Sequence, residues 1–301
     1  MRAQRGNRTQ TSGAGIVLVR LPRCARNDKL LFIFSLLPPL NHGICGLSAV
    51  PVRAEPTDRA ELVTELLFGE CYTVLQTQGS WLRMEAAADN YLGWIDAKQH
   101  QPVSPSYFAA WRAQDHPRVL DVVQVVSSAE RRQPITLGCR LPFFDGMTLQ
   151  LGDDNPLFFN GTATNLAQCS LPERQLVVLR KMGQQFLKAP YVWGGKNIFG
   201  VDCSGLTQTL FGLVGMQLPR DARQQIALGE PVDFVTQAQP GDLAFFDNAD
   251  GAIVHVGLVL DDGFILHASG EVRLDPLDHH GIFDRERQKY SHKLRLIKRL
   301  L

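Results

Sequence analysis

Hydrophobic and polar positions fall into distinct patterns along the chain. Residues 1–40 carry Arg2, Arg5, Arg8, Arg20, Arg23, Arg26 and Lys29 against Asp28 alone, ahead of the apolar run Leu30-Leu31-Phe32-Ile33-Phe34-Ser35-Leu36-Leu37. Charge followed by a short apolar run has the order of a signal peptide, but the run is too short to span a membrane and no Ala-x-Ala site follows. A leader or a disordered extension is expected there. From residue 41 to 101 apolar residues alternate in short runs, Cys71-Tyr72-Thr73-Val74-Leu75, Trp81-Leu82-Arg83-Met84 and Tyr91-Leu92-Gly93-Trp94-Ile95. These predict short strands that close into a small barrel. Gln101-Pro102-Val103-Ser104-Pro105 reads as a linker, and residues 104–165 show a second turn-rich, β-like pattern.

The period changes near residue 170. Ser170-Leu171-Pro172-Glu173 has the spacing of a capping box, and Leu176, Leu179, Met182, Phe186 and Leu187 continue it as a helix that stops before Pro190. A second helix is predicted where Leu206, Leu210, Leu213 and Val214 recur at helical spacing, one face packing inward. Asp202 is its natural N-cap, which puts Cys203 in the first turn. Residues 253–260 are β-branched and apolar, Asp261-Asp262-Gly263 is a turn, and residues 264–268 return as a strand. That loop sets His255 opposite Ser269 and His267 opposite Gly257, so both imidazoles share one face, roughly 7–8 Å apart at Cα. Gly241-Asp242-Leu243 reads as a turn entering a strand, with Asp242 serving the turn. The basic tail, residues 289–301, reads as a solvated edge. The fold class expected is α+β, with residues 170–301 as a mixed domain behind one or two small all-β domains at 41–101 and 104–165.

Charge narrows the function classes. With 31 basic and 30 acidic residues the net charge is +1, which calls for neither nucleic acid nor a charged membrane surface. None of the six cysteines forms a Cys-x-x-Cys pair, and no zinc spacing or phosphate-binding glycine motif occurs, so no metal and no cofactor is expected. If Cys203 stays free, the other five pair badly, which favours a reducing compartment.

Most cysteines are small buried residues, and a single strand histidine is usually a satisfied core residue. Three groups with complementary chemistry change that reading. A thiol at a helix start feels unpaired N–H groups and the positive dipole end, while the Asp202 carboxylate opposes ionisation. A thiol nucleophile also needs a base, and the base an orienting partner. Cys203, His255 and His267 fit those roles in that order. The Cys203 backbone N–H is the natural oxyanion donor.

Tyr191-Val192-Trp193-Gly194-Gly195, Asp202-Cys203-Ser204-Gly205-Leu206, Gly241-Asp242-Leu243, His255-Val256-Gly257 and His267-Ala268 together resemble the NlpC-type (NlpC/p60) cysteine peptidases, papain-like bacterial cell-wall hydrolases. Pro51-Val52-Arg53, Leu67-Phe68-Gly69-Glu70 and Gly93-Trp94-Ile95 resemble a bacterial SH3-like domain, and a diverged second one is expected at 104–165. SH3-like domains ahead of such a peptidase resemble the γ-D-glutamyl-L-diamino-acid endopeptidases. The resemblance implies a muropeptide substrate, L-Ala-γ-D-Glu-diamino acid, with a free N-terminal amine held by acidic residues of both domains. It implies substrate-binding roles for Glu55, Tyr91, Trp193, Asp202, Ser204 and Asp221, and an oxyanion or supporting role for Tyr191. Two other readings remain: another amidase or acyltransferase on the same scaffold, or a non-catalytic wall-binding protein. A recycling enzyme could work in the bacterial cytoplasm on released peptides, whereas wall turnover requires export through a genuine signal peptide.

Overall fold

The structure, a computed structural model, describes residues 41–153, 156–164 and 172–301. The leader expected at 1–40, the end of the second β-rich region at 165, and Ser170 and Leu171 of the expected capping box lie outside the described residues. Within them the fold is α+β, and no helix is long and apolar enough to cross a membrane.

The alternating runs of the first region pair into a seven-stranded antiparallel sheet. Its spatial order is Leu62–Leu67, Ala49–Arg53, Leu92–Asp96, Trp81–Ala86, Cys71–Gln78, Asn41–Ile44, Gln101–Val103. The period of two decides which side chains turn inward: Trp81–Ala86 buries Leu82, Met84 and Ala86 against Val50, Val52, Leu66, Tyr72 and Ile95. Gln101–Val103, expected as linker, is instead the last strand, paired with Asn41–Ile44. Helix α1 (Pro105–Arg112) follows at once, its Tyr107 N–H donating to the Ser104 hydroxyl. Pro105 is tolerated in the first turn because its missing N–H would have no partner there.

The second region forms a four-stranded sheet in the order Thr148–Leu149, Leu157–Phe159, Val123–Ser127, Arg132–Thr136. Its apolar residues do not close on themselves. Val126, Ile135 and Phe159 share one core with Ile44, Leu67 and Phe68 of the first sheet and with Tyr107, Phe108 and Trp111 of α1. Strands this short bury too little area alone, and the pooled core removes that deficit.

The third region begins with α2 (Pro172–Gln185), α3 (Cys203–Leu213) and α4 (Ala222–Gln225). A sheet follows in the order Glu230–Val232, Lys289–Arg299, Leu243–Asp247, Ile253–Val259, Phe264–Ser269, Glu271–Pro276, and Gly281–Asp284 also pairs with Lys289–Arg299. Two expectations are corrected. The basic tail is an interior strand rather than a solvated edge: Ile297 is buried, and the Arg299 guanidinium donates to Asp242 at 2.9 and 2.8 Å. Asp242 therefore does more than shape its turn; it pairs with Arg299 of that interior strand. Helix α3 is buried along its whole length, not on one face. Its polar side finds internal partners, with Thr207 donating to Gln225 at 2.8 Å, Gln208 Nε2 to Asp89 at 2.8 Å, and Thr209 to the Lys196 carbonyl at 3.2 Å, while the Gln208 Oε1 is buried without one.

These contacts join the first sheet to the helical layer through buried polar groups. Lys196 Nζ lies 3.2 Å from Glu70, both side chains nearly without solvent. Burial opposes the Glu70 charge, but Lys196, Arg140 and Arg118 override it and hold the carboxyl below its ordinary value. Nearby, Glu65 accepts the backbone N–H of Lys196 and the side-chain amide of Asn197, each at 2.8 Å. Removing one member of a buried pair strands the other. Lys196→Met is expected to destabilise the chain by roughly 3 kcal/mol in urea unfolding. The Glu70→Leu, Lys196→Met double variant is expected to lose less than the sum of the two single changes.

Candidate active site

The loop before α3 is shaped by one carboxylate. Asp202 caps the helix, accepting the Gly205 N–H at 2.7 Å, and its other oxygen accepts the Gly194 N–H at 2.8 Å. Gly194 has φ +79°, and a Cβ there would stand 2.3 Å from the Leu62 carbonyl oxygen, so glycine is required where this loop meets the first sheet. Arg220, 1% exposed, closes the arrangement. It donates to Asp202 at 3.0 and 2.6 Å, to Ser204 Oγ at 2.9 Å and to Thr64 Oγ1 at 2.9 Å.

The thiol that this loop delivers is buried. Burial and the Asp202 charge push the Cys203 thiol up to about 11, against smaller opposing pulls from the Val256 N–H, Arg220 and the Ser204 N–H. The helix start thus does not by itself ionise the thiol near neutrality, and a proton acceptor has to be supplied.

The strands Ile253–Val259 and Phe264–Ser269 supply it. They pair Leu258 with Leu266 and Val259 with Ile265, the register set by the turn at residues 261–263. A Cβ at Gly257 would lie 3.0 Å from the His267 Cβ and 2.7 Å from Ile265, so a side chain there would displace the second imidazole. His255 Nε2 and His267 Nδ1 are 2.9 Å apart, and His267 Nε2 is 3.0 Å from Asp275 Oδ2. The carboxylate fixes the tautomers along this row. Burial raises the Asp275 carboxyl, but its bonds to His267 and Arg273 win and keep it ionised. An ionised Asp275 can only accept, so a His267 ring with one N–H carries it on Nε2 and offers a lone pair at Nδ1. His255 must then donate from Nε2, which leaves its Nδ1 lone pair free. Burial, then His292 and His267, lower the His255 pKa well below 6.5, so this ring rests neutral. The Val256 N–H directed at the Cys203 sulfur belongs to the residue next to His255, which brings thiol and base to one place.

The other expected site residues divide. Tyr91 and Asp221 meet across the two regions, with the phenol donating to Asp221 Oδ1 at 3.2 Å; burial and Asp221 push the phenol up to about 12. Tyr191 is half-buried beside the thiol, its hydroxyl held protonated by burial and by Cys203 and Asp202. Trp193 is 59% exposed and its indole donates to Glu61 at 2.6 Å, which ties the loop to the first sheet and leaves its ring face open. Glu55 stands exposed in the same turn region, its carbonyl accepting the Thr57 N–H. Asp202 and Ser204 depart from expectation. Both Asp202 oxygens are taken up by backbone N–H groups and Arg220, and the Ser204 hydroxyl lies between Asp202 and Arg220. A carboxylate already neutralised by a buried guanidinium is no longer a free anion for an ammonium group.

Sequence reasoning missed Arg220 as the partner of Asp202, and missed Asp275 and His292. Asp275 was recoverable from Gly270, a tight-turn residue with φ +75°, and the alternation Glu271, Arg273, Asp275, which carries the histidine face onto a third strand. His292 lies on Lys289–Arg299, the tail read as solvated, and its ring stacks on His255 with centroids 4.1 Å apart. Among the described residues His255, His267 and His292 are the group whose side chains could hold a metal, their ligand atoms all within 4.8 Å of one another.

Residues 188–290 match the NlpC/P60 family, and residues 52–99 match the bacterial dipeptidyl-peptidase SH3 domain. A γ-D-glutamyl-L-lysine dipeptidyl-peptidase of Bacillus cereus is 27% identical over 76% of this chain and 74% of its own. Dipeptidyl-peptidase 6 of Lysinibacillus sphaericus is 29% identical over 75% of this chain and 88% of its own. The crystal structure of an NlpC/P60 family protein from Bacillus cereus shares the fold, with a TM-score of 0.71 over 86% of this chain and 99% of that one, at 23% identity. The chain therefore carries an NlpC/P60 domain at residues 188–290 behind a bacterial SH3 domain at residues 52–99.

Proposed function

We propose that the chain is a cysteine peptidase that hydrolyses the bond between γ-D-Glu and the diamino acid in peptidoglycan-derived peptides with a free N-terminal L-Ala. The observation that carries this reading is the row Asp275, His267, His255, linked at 3.0 and 2.9 Å and ending on a free ring nitrogen beside the helix start that bears Cys203. His255 Nδ1 takes the thiol proton as sulfur attacks the carbonyl carbon, and the first-turn N–H of Cys203, which has no helical acceptor, receives the oxyanion. The imidazolium then returns that proton to the leaving amine of the diamino acid, leaving a thioester that water hydrolyses with His255 again as base. Asp275, through His267, stabilises the transient charge on His255.

The selectivity reading rests on Tyr91 and Asp221. A hydroxyl and a carboxylate contributed by two separate regions form an acceptor pair suited to an ammonium group, Asp221 also meeting the exposed Arg223 at 3.0 Å, and the exposed Glu55 is tested as a third member. Relatives named γ-D-glutamyl-L-lysine dipeptidyl-peptidase support that substrate class. The described cysteines, Cys45, Cys71, Cys139 and Cys203, are all free thiols, which supports a reducing compartment and a recycling role on released peptides.

Three outcomes are expected. L-Ala-γ-D-Glu-diaminopimelate and its L-Lys counterpart should be cleaved with a free amine and spared when N-acetylated, and Cys203→Ala should abolish cleavage. Equal cleavage of free and acetylated peptides would remove the ammonium trap and move the chain to a broader amidase class. Asp275→Asn should lower kcat by roughly ten- to a hundredfold with little change in KM, because His267 loses the anion that orders the row. Finally, since the active base is neutral His255 and its pKa is depressed, kcat/KM should hold as pH falls through 6.5 and decline only well below it. A profile that halves near 6.5 would show His255 titrating as a solvated imidazole.

A further inference from the structure

We propose that His255, His267 and His292 form a binding site for a divalent transition-metal ion of the zinc class, and that filling it switches the peptidase off. The three ligand nitrogens already lie within 4.8 Å of one another, and one edge, from His255 Nε2 to His267 Nδ1, is 2.9 Å. Zinc–nitrogen bonds of about 2.0–2.1 Å place tetrahedral ligand atoms roughly 3.3 Å apart, so only small shifts are needed on that edge. Nitrogen-only donors favour zinc, copper, nickel and cobalt over magnesium or calcium.

A second observation points the same way. His267 gives its far N–H to Asp275 at 3.0 Å, which is how a carboxylate orients a metal-binding imidazole and raises its basicity. The Nδ1 of His292 is 2.9 Å from Ser291 Oγ, which leaves its other nitrogen for an ion. His292 stacks on His255 at an interplanar angle of 19°, and ligation requires it to tilt out of that stack. It has room to do so, because it lines a solvent-open groove of about 670 Å³ with Asp247, Tyr290 and Lys293. Asp247, which also lines that groove, has an 8% exposed side chain whose Oδ1 has no hydrogen-bond partner among the described residues, its Oδ2 lying 3.8 Å from Arg295.

The consequence for catalysis follows from the proton inventory. An ion on His255 Nε2 drives the ring proton to Nδ1, so the nitrogen that would take the Cys203 proton loses its lone pair. The site itself stands on geometry; its effect on activity rests on the peptidase reading above.

The test separates the two. The full chain carrying Cys203→Ser, which removes the thiol as a competing ligand, is titrated with cobalt(II) and followed by its visible ligand-field bands. One equivalent should bind with a tetrahedral, nitrogen-ligated spectrum. His292→Ala should weaken binding by at least about tenfold, and His292→Gln, which keeps the bulk, should do the same in a chain whose circular dichroism is unchanged. The double variant His279→Ala, His280→Ala should bind as before. Absence of a saturable spectrum, indifference to both His292 substitutions, or loss of binding in the His279, His280 variant would each overturn the site. With the unsubstituted chain, zinc should inhibit peptide hydrolysis, a chelator should restore it, and His292→Gln should need at least about tenfold more zinc for the same inhibition. Zinc that binds without inhibiting an active chain would overturn the switch. Cobalt binding in a chain that cleaves no peptide would support the site and count against the peptidase reading.

Discussion

Arg220 is buried to 1% exposure between the first sheet and the start of α3, and its guanidinium has to find partners there. It finds Asp202, the cap of the helix that bears Cys203, Ser204 in that helix, the Gly195 carbonyl in the loop before it, and Thr64 in the first sheet. One cation therefore holds the helix that bears Cys203, its entry loop and the neighbouring β domain in register. The five-donor fork of arginine suits this task, since a lysine could supply the charge but not five separately directed bonds to four residues. Because desolvating either ion alone is costly, the pair specifies a single arrangement: a loop displaced by an ångström or two would leave both charges stranded.

The same principle governs the whole seam between the first sheet and the helical layer. Lys196 with Glu70, Glu65 with the backbone of Lys196, and Gln208 with Asp89 are all polar contacts in places with little water. Apolar packing would bury comparable area yet tolerate sliding, whereas directional bonds between buried groups do not. This matters for a site built from both sides. Tyr91 and Asp221 stay within 3.2 Å only while the two regions keep one fixed relation. The pooled core beneath α1 ties the second sheet into the same body.

The imidazole row is controlled from its far end. Asp275 is anchored by Arg273, with contacts of 2.6 and 3.0 Å, and towards His267 it can only accept a hydrogen bond. Each ring then passes the directionality onward until a lone pair emerges on His255. A histidine in the middle of such a row carries orientation from the carboxylate to the next ring, and burial keeps His255 neutral. Stacking by His292 walls off one ring face and leaves an open groove on its other side.

Local features were legible along the chain. Asp202 ahead of Cys203 and the apolar spacing after it placed a thiol in a helix's first turn. The turn at Asp261-Asp262-Gly263 and the period of two placed His255 and His267 on one sheet face. Both follow from periodicities confined to one element or one tight turn, where covalent geometry dictates which side chains are neighbours. Tertiary structure decided the remainder. The pairing of Asp202 with Arg220, the meeting of Tyr91 with Asp221, and the arrival of His292 beneath His255 each join segments whose mutual register is set by packing, and no period in the sequence encodes it. The basic tail misled because alternating charge along a strand looks the same at a solvated edge as at a position between two partners, and only the neighbouring strands determine which one it becomes.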